Sequence, residues 1–237
     1  RMSTRRSGIF INRETSWLEF NGRVLEEAED AGNPLLERLR FFCIFRSNLD
    51  EFYMVRVASL EHMIEGKGNQ PDPAGLSPSE QLLAIAVHAR RLYDASGELY
   101  CGELVPGLEK EGIFIRKPGA LKPEQDKYLD GYFEREIYPV LTPVAVDETH
   151  PLPWIPGLTF SLAVLLEPER TKDEAPRLAV VQVPGGLPGL IRLPGGEGLE
   201  LCWLHDAVRG RLADLFTGHR IREAAGLRIA RDSELDI

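Results

Sequence analysis

Ser47-Asn48-Leu49-Asp50-Glu51-Phe52-Tyr53-Met54-Val55-Arg56 sets polar and charged side chains densely against apolar neighbours, with no Gly or Pro to interrupt them. Asn48 is the member best suited to chemistry, because an amide donates and accepts at once and can read an adenine edge or hold a phosphate oxygen. The competing reading is a helix cap: Asn is a favoured N-cap, and Asp50-Glu51 behind it would suit a first turn. Arg46 and Arg56 flank the motif and could approach a phosphate, with a surface salt bridge as the alternative for each. Asp50 and Glu51 make a poor catalytic pair, since adjacent helical residues point about 100° apart. Dipole complement, or an ion pair between Asp50 and Arg56, accounts for them better.

Other chemistry is sparse. His62, His88, His150, His205 and His219 include no pair at metal-binding spacing, and they read as surface or packing residues. A phosphate-cradling Gly-rich loop and a nucleophile elbow are both missing from the sequence. Trp17, Phe20, Phe41, Phe42, Phe52 and Tyr53 recur at helical spacing and read as core, not as a base-stacking platform.

The elements that must position Asn48 are helical. Ser16 serves as an N-cap with Glu19 as its capping-box partner, and Trp17, Phe20, Val24, Leu25 and Ala28 then share one face. Gly32-Asn33-Pro34 stops that helix and starts a second, with Pro34 suited to the first turn. A third helix is expected from about Asp50 through Met54, Val57, Leu60 and Ile64. After the loop Gln70-Pro71-Asp72-Pro73-Ala74-Gly75, Ser77-Pro78-Ser79-Glu80 caps a long helix that reaches Tyr100. The first part is thus an antiparallel helical bundle.

Beyond Pro106-Gly107 the texture changes. Gly112–Arg116, Phe160–Leu166, Leu178–Val183 and Leu199–Trp203 are strand-like runs separated by Gly/Pro turns, while Lys122–Ile137 and His205–Phe216 are helical. The fold class is therefore α+β, with a helical domain over 1–106 and an α+β head domain over 107–237.

Composition sets limits on function. The chain has 237 residues, 43% of them hydrophobic, enough to bury a core. With 28 basic and 37 acidic residues its net charge is −9, which argues against a general nucleic-acid binder. Cys43, Cys101 and Cys202 are odd in number and far apart, which points to neither a disulfide framework nor a zinc site. The start, Arg1 to Ser7, has no apolar stretch behind it, so secretion is not expected. The expected location is cytoplasmic, with peripheral membrane association left open.

Several stretches together resemble the polyphosphate kinase family. They are Phe10 to Glu14, Ser16 to Asn21, Arg23 to Ala28, Asn33 to Arg38 and Ser47 to Arg56. Tyr138 to Asp147 and the closing Arg228 to Asp236 resemble the family's head domain, in the same order. Thr15, Gly22 and Cys43 are modest departures from its pattern. The resemblance implies phosphate transfer between ATP and inorganic polyphosphate through a phosphohistidine, and it assigns ATP binding to Asn48. It further implies that the phosphohistidine and the residues associated with Mg2+ lie in later domains outside this chain, whose head domain is cut short. The chain alone is then expected to be inactive, with ATP, ADP and polyphosphate as partners and subunit contacts in a homodimer or higher homo-oligomer. A non-catalytic dimerisation or interaction module is the rival reading.

Overall fold

The computed structural model describes residues 9–146, 154–168 and 176–233. They form two compact units: residues through Leu108 joined by the segment from Ala230, and Glu109–Ile229.

The first unit is helical. Helix α1 spans Arg13–Glu29, and its N-cap is Asn12, whose Oδ1 accepts from the Thr15 N–H at 2.9 Å. The expected cap, Ser16, already lies in the first turn. Asn12 takes the role because the other end of its amide is anchored, donating to Asp72 Oδ2 at 2.7 Å and Gln81 Oε1 at 2.9 Å. The buried stripe of α1 is Leu18, Asn21, Leu25 and Ala28, with Trp17 and Val24 packed beside it. Phe20, expected in the core, is 50% exposed, with the Arg23 guanidinium over its ring.

A short turn, in which Gly32 N–H donates to Asp30 Oδ1, leads to α2 (Leu35–Phe52), with Pro34 at its N-cap. Here the structure departs from expectation. No new helix begins at Asp50; α2 continues through a π-turn, Tyr53–Val57, into α3 (Ala58–Glu65). Helix α4 (Pro78–Leu99) has the expected capping box between Ser77 and Glu80, and it passes through a second π-turn, Tyr100–Leu104, into α5 (Val105–Lys110). Phe45, Leu49, Phe52, Leu60, Ile85, Leu99 and Leu104 join Leu18, Leu25 and Ala28 in one core.

The second unit is α+β. Strand β1 (Ile113–Arg116) precedes α6 (Pro123–Tyr132) and a π-turn at Phe133–Ile137. Strands β2 (Pro143–Val146), β3 (Phe160–Pro168), β4 (Arg177–Gln182), β5 (Leu190–Arg192) and β6 (Leu199–Trp203) follow, then α7 (Leu204–Gly210), α8 (Leu212–Leu215) and β7 (His219–Arg228). One sheet has the order β1-β6-β5, with β1 and β6 parallel, and the other is antiparallel with the order β2-β4-β3-β7. Leu162, Val164 and Leu166 alternate on β3 and meet Phe133, Ile137, Val181 and Val208 in a separate core.

The single helix expected over His205–Phe216 is broken at Arg211. Strands β2, β5 and β7 were not legible in the sequence. Strand β7 is rich in charge, lies at a sheet edge and has no fully buried residue, so its sequence carries little apolar alternation to read. His150 lies outside the described residues. Among the described residues, no helix is long and apolar enough to cross a membrane.

Glu200 on β6 is a buried charge that the fold provides for. It is 3% exposed, takes a hydrogen bond from Gln125, and faces Arg116 at 3.3 Å and Lys122 at 3.8 Å. The Gln125 bond, with help from the two cations, holds its carboxyl below the usual range against the opposing push of burial.

Candidate functional site

Asn48 lies inside α2, one turn before its end, so it is not a helix cap. Its side chain is set by a residue from α1. Asn21, fully buried, donates through Nδ2 to the Phe45 carbonyl oxygen at 3.1 Å. A carbonyl oxygen can only accept, so this bond fixes the orientation of the Asn21 amide and leaves its Oδ1 facing Asn48. That Oδ1 accepts from Asn48 Nδ2 at 2.9 Å. One N–H of Asn48 is thereby held, while the second N–H and the carbonyl oxygen have no partner among the described residues. Half-buried, Asn48 presents an adjacent donor and acceptor on a fixed base.

The π-turn decides where Arg56 stands. An unbroken α-helix continuing the buried positions Phe45, Leu49 and Phe52 would next bury residues 56 and 59. Instead Val57 packs on the core and Leu60 is 5% exposed, while Ser59 is exposed. The turn thus absorbs one extra residue, as a π-turn does. The eight positions from Asn48 to Arg56 then wind like seven, bringing Arg56 within about 20° of Asn48 and roughly 10 Å further along the axis. Without the extra residue the two would stand about 80° apart. An amide and a guanidinium therefore share one side of one helix.

Arg46 is placed differently. Two positions from Asn48, it projects roughly 200° around α2. Its guanidinium stacks 4.6 Å from the Tyr93 ring centroid, and Nη1 lies 3.5 Å from Ser96 Oγ. Helix geometry therefore puts Asn48 and Arg56 on one side of the helix, and the structure leaves Arg46 against α4. Asp50 and Glu51 sit far from any helix start, which removes the dipole reading.

Two of the described histidines are engaged elsewhere. His62 meets Asp232 at 3.0 Å, and His205 packs against Phe160 and Trp203. Among the described residues, no group of three or more His, Cys, Asp or Glu side chains could hold a metal ion. Cys202, buried beside Asp206, has its thiol pushed up to about 11, chiefly by desolvation, and is no nucleophile at neutral pH. Asn21 is the member of the site that sequence reasoning missed. It stood within a recognised stretch, but nothing in the sequence signals its bond to a residue 27 positions away.

The profile of the polyphosphate kinase N-terminal domain matches residues 10–116, and that of the polyphosphate kinase middle domain matches residues 124–237. A polyphosphate kinase of Bacillus cereus is 44% identical over 235 residues, an alignment covering 98% of this chain and 34% of the relative. One from Thermosynechococcus vestitus is 41% identical over 236 residues, covering 96% of this chain and 32% of the relative. The crystal structure of polyphosphate kinase from Porphyromonas gingivalis superposes with a TM-score of 0.85 at 31% identity, covering 96% of this chain and 34% of that one. The chain thus spans about a third of the length of these proteins.

Proposed function

Because this chain belongs to the polyphosphate kinase family, we propose that it is part of an enzyme that moves the terminal phosphate of ATP to inorganic polyphosphate, and that it supplies one wall of the nucleotide site. Asn48 carries the reading. Its outward carbonyl oxygen and remaining N–H match the donor and acceptor that adenine presents side by side, the pairing an amide makes when it reads that base. Arg56, on the same side of the helix, supplies a permanent positive charge for the phosphates. Arg46, held against Tyr93, is the weaker contact.

The phosphohistidine and Mg2+ belong, in this proposal, to parts of the protein outside this chain, and the isolated chain is inactive. The net charge of −9 agrees with a local nucleotide contact better than with a polyanion track along this chain. ADP binds at the same place in the reverse direction. Subunit contacts in a homo-oligomer and a cytoplasmic location complete the proposal.

The test is calorimetric titration of this chain with Mg-ATP beside its Asn48→Ala variant at the same salt, paired with kinetics of the complete protein. Loss of a bidentate base contact raises the KM for ATP about fivefold to a hundredfold and changes kcat less. An unchanged KM in the complete protein carrying Asn48→Ala overturns the reading and favours a non-catalytic interaction module.

A further inference from the structure

Asp232 and Ser233, in the segment that follows β7, are held in place. Within the first unit, Ser233 N–H donates to the Met54 carbonyl oxygen at 3.1 Å, and the Ser233 hydroxyl approaches the same oxygen at 3.4 Å. One residue earlier, the Asp232 carboxylate, its side chain 9% exposed, meets His62 Nε2 at 3.0 Å. Met54 lies in the π-turn and His62 in α3 just beyond it. Two consecutive residues distant in sequence therefore grip the helix at its irregular turn and again after it.

The grip has a physical cause. In an α-helix the Met54 carbonyl would accept from the Ala58 N–H, four residues on. Here the Ala58 N–H is directed at Tyr53 O and Val55 O. The π-turn thus turns the regular donor away from Met54, and an unmet carbonyl in a packed setting is costly. Ser233 provides replacement donors from outside the helix, so the turn that places Arg56 is completed by a distant segment.

We propose that Asp232 and Ser233 are positioning residues for the nucleotide site. Docked as a strap through His62 and the Met54 carbonyl, they hold the π-turn and thereby keep Arg56 on the side of Asn48. The proposal rests on the nucleotide reading given above. Neither residue touches ATP; both act through Arg56.

The test uses the complete protein and two readouts. Hydrogen exchange of the amides from Met54 to His62 reports the strap itself, whatever the helix binds. In His62→Ala and Asp232→Ala, exchange there rises while that of α4 stays unchanged; unchanged exchange near the π-turn overturns the strap. The second readout is the KM for ATP against kcat. Each of these variants raises KM about 1.5-fold to fivefold, the loss of one partly exposed ion-pair contact, with kcat nearly constant. In an Arg56→Ala background the same substitutions add nothing further to KM, because the group they position is gone. Additive effects overturn the positioning role and leave a purely structural one. A KM unmoved by Arg56→Ala and Asn48→Ala themselves, with exchange still raised by the strap variants, overturns the nucleotide reading and this role with it, while the strap stands. Ser233→Ala, which keeps the backbone donor, gives a smaller rise in exchange than either variant of the His62 pair.

Discussion

Asn21 has no contact with solvent, yet it governs the side chain that faces it. Both ends of its amide are engaged, one on the Phe45 carbonyl and one on Asn48. Replacing it with Ala removes the donor to Phe45 and frees the Asn48 amide to rotate. Asn21→Ala is expected to cost about 1–3 kcal/mol, seen as a lower urea midpoint at unchanged slope. Asn21→Asp costs more, because a carboxylate cannot donate to Phe45 and is buried without a counter-charge. A shift under about 0.5 kcal/mol for Asn21→Ala would show that the network does not hold the site. Asn48 stood out in the sequence through its dense motif and its versatile amide, and the family resemblance assigned it ATP binding. Asn21 was not, because a hydrogen bond between helices leaves no periodic mark on either one.

At the scale of the element, the π-turn is a one-residue insertion that the packing has accepted. The buried series Phe45, Leu49, Phe52, Val57, Leu60 keeps its seam only if one residue between Phe52 and Val57 is passed over. Deleting Val55, which is 37% exposed, should convert the turn to α-helix, keep the seam in register and change stability by about 1 kcal/mol or less. Deleting Ile44, 41% exposed and in the same continuous helix, rotates everything before it against everything after it and should cost more than about 3 kcal/mol. Urea midpoints of the two deletions compare them directly, and equal losses would show that the turn has no special tolerance. The capping box at Ser77 and the long period of α4 were readable because they are local. A period slipped by one residue looks like one helix ending and another starting, hence the expectation of a new helix at Asp50.

At the scale of the whole molecule, each unit has its own core, and the second carries a buried charge that responds to acid. In the Glu109–Ile229 unit, Glu200 is held below the ordinary glutamate value, so the folded unit binds that proton more weakly than the unfolded chain. The stabilisation is complete above the unfolded pKa and is lost as pH falls through the folded one. The stability difference between the wild type and Glu200→Gln, followed by hydrogen exchange in β6, should therefore shrink as pH drops from about 6 to below about 4. A difference constant across that range would mean that the charge of Glu200 contributes nothing. The α+β class, the presence of α1, the start of α2, the span of α4, the central strands of the second unit and the polyphosphate kinase family were determined by the sequence alone. Hydrophobic period, caps and long motifs are properties of neighbouring residues. Only the tertiary structure decided that Asn12 caps α1, that Asn21 holds Asn48, that a π-turn turns Arg56 to the same side, and that Asp232 and Ser233 return to brace it. Each of these joins groups far apart in the chain, and such contacts exist only once packing has brought the elements together.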